Sequence, residues 1–277
     1  MSEAFSIRKY LRPLPLPFCP GCGGLTVMSE FLRAVHELDH ENLSKFVFCS
    51  GIGCSSWIPS PHFIADSVHT LHGRSIPVAT GIKLLRPDLN VVVFGGDGDI
   101  VGIGLSHFIH AARRNLDILV IMVNNMVYGM TGGQVAPTTP FKAKTTTTPY
   151  GSFEQPLDAA KLAVTAGASY VSRWTTAHPN ELKDSIKKAL TLQGFRYIEA
   201  VSQCPTAFGR RVGFKDAGEM LKWFKENAIT IKQAESLHEE DLAGKIVLGE
   251  FVQRKRPTLV ENIYKTIEEA QKKVEKN

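Results

Sequence analysis

The sequence predicts an α/β fold with a mostly parallel sheet and helices on both faces. Apolar runs of strand length alternate with segments long enough for helices, the pattern of βαβ units. Several of these runs stop abruptly at Gly, Ser or Asn, as buried strands do. The composition suits one packed core, with 277 residues, 43% hydrophobic and 21% charged. Such a chain makes one large domain or two small ones and buries its own core. Disordered and collagen-like classes are excluded.

From the N-terminus, Arg8 to Pro20 is Pro-rich and cannot be regular helix or central strand. It reads as an extended arm leading into Cys19. A helix is expected from about residue 25 to 38. Phe46-Val47-Phe48-Cys49 ends in Ser-Gly and reads as a buried strand. Val91 to Phe94, stopping at Gly95-Gly96, and Ile118 to Val123, stopping at Asn124-Asn125, read as parallel strands covered on both faces. Ile100 to Arg114 between them is long enough for a crossover helix. Glu181 to Leu192 has helical pattern with Gly194 as its stop, and Tyr197 to Val201 is a further strand. This places residues 1–218 in one domain. Residues 219–277 read as a helical C-terminal arm, with Thr258 and Glu261 as a capping box behind Pro257 and Leu259, Ile263, Ile267, Ala270 and Val274 at helical spacing. Its role is packing on its own domain or a partner contact. Thr145 to Thr148 reads as loop.

Charge and cysteine usage bound the function. A net charge of +5 suits acidic partners or phosphorylated ligands but is far from the footprint of a nucleic-acid binder. No run reaches the roughly 18 apolar residues of a membrane span, and the first residues lack the apolar core of a secretory signal. Five cysteines, an odd number in a chain this long, argue for a reducing and hence cytoplasmic compartment, with thiols free or on a metal.

In parallel sheets ligands sit at the carboxyl ends of the strands, where the Gly- and Asn-rich turns fall. Asp97 and Asn125 are 28 positions apart, room for a strand, a crossover helix and a returning strand. An Asp carboxylate, an Asn amide oxygen and a nearby carbonyl are hard ligands suited to Mg²⁺. Adjacent glycines let backbone N–H groups approach a phosphate. A Mg²⁺–diphosphate site follows, against the plainer reading of Gly96-Asp97-Gly98 as a tight turn. The dinucleotide pattern fails because Val101 stands at its sixth position, and no P-loop exists.

Cys19-Pro20-Gly21-Cys22 is a chelating pair in a tight loop; Cys54 and Cys204 are plausible companions. Four such thiolates could hold zinc or [4Fe–4S], and a redox-active Cys19/Cys22 disulfide is a third reading. Cys49 reads as a small buried hydrophobe. Of the nine histidines, His36, His40, His107, His110, His178 and His238 read as structural.

Gly96-Asp97-Gly98 with Asn124-Asn125 resembles the diphosphate-binding signature of thiamine diphosphate enzymes. The segment Met126 to Gln134, Cys19-Pro20-Gly21-Cys22-Gly23 and Gly51-Ile52-Gly53-Cys54-Ser55 resemble the 2-oxoacid:ferredoxin oxidoreductases, closest to the β subunit of the 2-oxoglutarate type. The similarity runs from about Phe18 to Arg210. It implies the thiamine-diphosphate-binding fold with an N-terminal cluster-binding arm. It implies Mg²⁺ on Asp97, Asn125 and the Val127 carbonyl. Coenzyme contacts would come from Ile52, Gly53, Cys54, Ser55, His72, Gly96, Gly98, Asp99, Gly129 and Met130, with Met130 propping the coenzyme into its bent shape. Cys19, Cys22, Cys54 and Cys204 would carry one [4Fe–4S] cluster. His72 would hydrogen-bond substrate, and Arg74 would hold a carboxylate bidentately; Lys142 and Lys144 are further candidates for the latter.

The implied reaction is CoA-dependent oxidative decarboxylation of 2-oxoglutarate to succinyl-CoA and CO₂, with electrons leaving through the cluster to ferredoxin. Pyruvate or another 2-oxoacid is the alternative substrate. A non-oxidative thiamine enzyme is the rival within the class, and a zinc-stapled binding subunit the rival outside it. Thiamine enzymes also need a glutamate at the aminopyrimidine and a second α/β domain. No glutamate occurs from Asn42 to Phe153; Glu3, Glu30, Glu37 and Glu41 precede that stretch. An α subunit supplying the pyrimidine-binding domain and the glutamate is therefore expected, as an αβ heterodimer or its dimer. The clusters Arg8-Lys9, Arg210-Arg211 and Arg254-Lys255-Arg256 are solvated surface or a dock for an acidic electron carrier. Trp57 lines a substrate channel or packs in the core.

Overall fold

The computed structural model describes residues 5–40 and 42–275. Glu3 and Glu41 lie outside the described residues. The arm makes one short 3₁₀ turn, Ile7–Lys9, and a single bridge from Leu11 to Phe63. Helix α1 (Gly24–Glu37) leads to strand β1 (Phe46–Ser50). Strand β2 (Asp66–His69), helix α2 (Ser75–Leu85) and strand β3 (Asn90–Gly96) follow. The crossover expected over residues 100–114 is divided. A π-helical turn over Gly98–Ile103 precedes α3 (Leu105–Arg113). Gly104 permits the division, since a Cβ there would lie 2.7 Å from the Asp99 carbonyl. Strand β4 (Leu119–Asn124) then runs into a small hairpin, β5 (Val127–Tyr128) and β6 (Gln134–Val135).

Helix α4 (Ala159–Ala166), β7 (Tyr170–Thr175), α5 (Pro179–Thr191) and β8 (Arg196–Val201) complete the parallel sheet. Beyond it lie α6 (Ala217–Asn227), β9 (Ala228–Thr230), α7 (Ile231–Ala234), β10 (Ile246–Gln253) and α8 (Leu259–Val274). The eight-stranded order is β2-β1-β3-β4-β8-β7-β10-β9. Only β10 on β7 is antiparallel.

Side-chain alternation divides the core. Phe46, Phe48, Val92, Phe94, Leu119, Ile121 and Ile198 pack under α1 and α5. Cys49, Val91, Val93, Val120, Met122 and Tyr197 pack under α2, α3 and α4. The sheet is thus covered on both faces, as its unbroken apolar strands require.

The C-terminal stretch 219–277 carries helices and the expected Thr258/Glu261 capping box, but it is not helical throughout. Its Ile246–Gln253 segment, rich in β-branched and aromatic residues, extends the sheet beside β7. Gly249, at φ +136°, lies on this strand beside a register shift between Glu250 and Val252. The basic run 254–256 is partly absorbed by structure. Arg254 donates to the carbonyls of Val164 (2.8 Å) and Ala168 (2.9 Å), and Arg256 to that of Gly167, satisfying the C-terminus of α4. Among the described residues no helix is long and apolar enough to cross a membrane.

Candidate functional site: a cleft at the carboxyl ends of the strands

The turns after β1, β3 and β4 line one cleft. Its walls are Ile52, Gly53, Cys54, Ser55, His72, Gly96, Asp97, Gly98, Asp99, Asn125, Val127, Tyr128, Gly129, Met130 and Thr131. Every residue expected to touch coenzyme or Mg²⁺ is in it; Arg74 is not. Arg74 stands exposed at the start of α2, bonds the Gly73 carbonyl at 3.3 Å and acts on His107, whose pKa it helps to lower after burial. Tyr128 and Thr131, part of the segment that carries the resemblance but with no role assigned from sequence, also line it.

β3 and β4 pair in register up to Gly96 and Val123, so their tips emerge side by side. Asp97 is 2% exposed. Burial pushes its carboxyl up to about 7, against the opposing hydrogen bonds from the Thr138 hydroxyl and from the backbone N–H groups of Asp97, Gly98 and Asn125. A buried carboxyl with such a strained charge fits a divalent cation, which removes that cost. Gly98 must be glycine, because a Cβ would lie 2.2 Å from the Tyr128 ring, whose hydroxyl donates to the Gly98 carbonyl at 3.2 Å. Met126 sits at φ +67°, a left-handed conformation uncommon for its type. Asn124 holds it there, its Oδ1 accepting the Met126 N–H at 3.1 Å. The Asn124 amide donates in turn to Glu199 (2.8 Å). Glu199 pairs with buried Arg173 (2.8 Å), which also reaches Asp158. Of the two consecutive asparagines, Asn124 braces the turn and Asn125 faces the cleft.

Asp99 ties the cleft's other wall together. Its Oδ1 accepts from Ile52 N–H (3.2 Å), Gly73 N–H (2.8 Å) and His72 Nδ1 (2.6 Å). A carboxylate only accepts, so Nδ1 of His72 carries hydrogen and Nε2 is left for a ligand. Oδ2 of Asp99 is buried without a partner. Gly51 makes room for it, since a Cβ there would lie 2.1 Å away.

The four expected cluster cysteines gather at one side of this cleft. Cys22 is pushed up to about 11, chiefly by burial and further by Cys204, Cys54 and Cys19. Cys54 is raised by burial and then by Cys204 and Cys19. Cys204 is raised by burial and, more weakly, by Cys19. Cys54 lines the cleft itself, and a Cβ on Gly129 would lie 3.6 Å from Cys204 Sγ. Cys49 is apart, fully buried in the core. Among the described residues no three His, Cys, Asp or Glu side chains close into a single-ion shell. A zinc ion would draw its sulfurs to about 2.3 Å from one point; a polynuclear cluster needs a wider ring. The donor set, four thiols in mutual electrostatic reach, suits a thiophilic metal ion or an iron–sulfur cluster. Among the described residues no glutamate lines the cleft; Glu199 is 2% exposed and spent on Arg173 and Asn124.

Sheet and cleft together define the coenzyme-binding half of a thiamine diphosphate enzyme. The family described as thiamine pyrophosphate enzyme, C-terminal TPP binding domain, matches residues 51–200. The chain is 53% identical to the 2-oxoglutarate synthase subunit KorB of Methanocaldococcus jannaschii, covering 94% of this chain and 96% of that one. The same-named subunit of Methanothermobacter marburgensis is 50% identical, with 96% and 94% covered. A solved 2-oxoglutarate:ferredoxin oxidoreductase from Magnetococcus marinus, with 2-oxoglutarate, coenzyme A and succinyl-CoA bound, superposes with a TM-score of 0.85 at 35% identity, covering 97% of this chain and 92% of that chain. The chain belongs to the β-subunit family of the 2-oxoacid:ferredoxin oxidoreductases, on its 2-oxoglutarate synthase side.

Proposed function

We propose that this chain is the β subunit of a 2-oxoglutarate:ferredoxin oxidoreductase, active only with an α subunit. The observation that carries this reading is the convergence of Asp97, Asn125 and Val127 with the Ile52–Ser55 loop and His72 on one cleft. Asp97, Asn125 and the Val127 carbonyl would hold Mg²⁺, and Gly96, Gly98 and Gly129 would admit the diphosphate. Thiamine diphosphate, when bound, supplies the electron sink for loss of CO₂ from a 2-oxoacid. His72, fixed through Nδ1, presents Nε2 to the substrate and can hold or give a proton there. Met130 and Ile52, 49% and 38% exposed, offer apolar surface to the coenzyme. Cys19, Cys22, Cys54 and Cys204 would carry a [4Fe–4S] cluster beside the cleft and pass single electrons to ferredoxin, with CoA taking the acyl group as succinyl-CoA. The lack of a cleft glutamate supports its supply by the α subunit. Exposed Leu71 (79%), Tyr150 (89%) and Phe153 (80%) are apolar surface suited to an interface.

The test is turnover of the purified two-subunit complex with 2-oxoglutarate and with pyruvate, with CoA and a viologen dye as acceptor. CoA-dependent dye reduction with 2-oxoglutarate is expected. Preference for pyruvate by more than about tenfold, the least that one pocket contact contributes, would overturn the substrate assignment.

A further inference from the structure

The sheet does not hold the two metal-bearing turns at their separation. The β3–β4 ladder ends at Gly96 and Val123, one residue before Asp97 and two before Asn125. Beyond it, one backbone bond crosses the gap, from the Asn125 N–H to the Asp97 carboxylate, and side chains from another segment add to it.

Two adjacent threonines cross that gap. The Thr138 hydroxyl donates to Asp97 Oδ2. The Thr139 hydroxyl donates to the Met126 carbonyl at 2.6 Å. One short segment therefore grips each turn by a different side chain. Both threonines are buried, at 5% and 2% exposure, so neither bond competes with bulk water. The segment is itself anchored. Thr139 N–H bonds the Ala136 carbonyl at 3.0 Å, closing a β-turn with Pro137 at its second position, which proline favours. The Ala136 N–H donates back to Thr139 Oγ1 at 2.8 Å, fixing the hydroxyl's direction. The Pro137 carbonyl accepts from Leu157 N–H at 2.8 Å, tying the turn to the chain that enters α4.

We propose that Thr138 and Thr139 form a clasp that sets the spacing of Asp97 against the Asn125–Val127 turn, making them positioning residues for the divalent cation. The inference rests on the reading of Asp97, Asn125 and Val127 as cation ligands. Thr138 keeps the carboxylate from swinging. Thr139 takes up the Met126 carbonyl, which the left-handed turn has removed from the sheet ladder. The flanking residues, Asn125 and Val127, are thereby held facing the cleft. The clasp adds no ligand; it lowers the cost of gathering the ligands that exist.

The experiment uses the two-subunit complex freed of metal and loaded with thiamine diphosphate. Mn²⁺ is titrated in and its binding followed by electron paramagnetic resonance, with unfolding midpoints measured separately without metal. Thr138→Val and Thr139→Val should each raise the Mn²⁺ dissociation constant about tenfold, the usual weight of a hydrogen bond to a charged or buried partner. Thr138→Ser keeps the hydroxyl and should stay within about threefold of the parent. If a valine variant does not assemble, the alanine variant at that position replaces it. Val variants that unfold more easily yet bind Mn²⁺ like the parent would overturn the clasp, as would a serine variant as impaired as the valine one. Asp97→Ala is the control. If it binds Mn²⁺ normally, the underlying site reading fails; if it alone loses Mn²⁺, the clasp fails.

Discussion

The diphosphate side of the cleft and its cysteine side are built on opposite principles. Around Asp97 and Asn125 the polypeptide satisfies its own polar groups. Asp97 is met by Thr138 and three backbone N–H groups, Met126 by Asn124 and Thr139, and Asn124 by Glu199. This half is preassembled by these hydrogen bonds beyond the strand ends. The cysteine half draws Cys19 and Cys22 from the N-terminal arm, Cys54 from the turn after β1 and Cys204 from the loop after β8. Its thiols raise one another's pKa through like charge as well as burial. Backbone N–H groups of Gly24, at Cys22, and of Ala207 and Phe208, at Cys204, offset part of that cost, and protonation or a bound cation would remove more of it. One half is preorganised by its own hydrogen bonds; on the proposed reading the other is completed by the cluster it would bind.

The largest effect that separates the halves comes from Cys22→Ser. Iron and the cluster's visible absorption should be lost, and with them electron transfer to ferredoxin, while thiamine diphosphate affinity holds within about threefold since no cradle bond is touched. A matching collapse of coenzyme binding would mean that the halves are one unit. Next in size is Glu199→Ala. It strips buried Arg173 of one carboxylate and frees the Asn124 amide, and should cost about 3–5 kcal/mol in denaturant unfolding, the range for breaking a buried pair. Coenzyme binding should weaken too, with the iron content of the folded fraction unchanged.

The last effect is in pH. Asp97 has its folded carboxyl raised from 3.8 to about 7. A raised acid favours the fold only while protonated, so without metal this group's contribution is full below its unfolded value and is lost as pH rises toward 7. The metal-free complex should therefore lose stability across that window relative to Asp97→Asn, and Mg²⁺ with coenzyme should abolish the difference. Denaturant midpoints at several pH values measure it. A parallel pH course for parent and variant would show that burial does not strain this carboxyl.

Much of the cleft was legible in the sequence because its residues sit where apolar strands stop. Phe46–Cys49, Val91–Phe94, Ile118–Val123 and Tyr197–Val201 each announce themselves by burial on both faces. Their turns share an edge because the strands are parallel. Other parts were hidden. β2 is a short exposed edge, Asp-Ser-Val-His, with no apolar pattern. β7 carries Arg173 in its middle, which reads as surface until Glu199 is seen opposite. That glutamate, alone in Tyr197-Ile198-Glu199-Ala200-Val201, was the one available signal: a charge in a doubly buried strand needs a buried partner. Thr138 and Thr139 gave no signal, since threonines between prolines look like any loop. Arg74 was placed by nearness in sequence to His72, yet the start of α2 turns it out of the cleft.

The sequence by itself determined the alternation of strands and helices, the two glycine- and asparagine-rich turns and the kinds of donor they carry. Those follow from local burial pattern and from the chemistry of each side chain. Tertiary structure alone decided which distant segments close the site: four cysteines from three regions, a buried Arg–Glu brace, two threonines across a gap, and a late strand added to the sheet's far side. Each is a contact between residues far apart in the chain, where spacing along the backbone sets no distance in space and only packing of the finished core does.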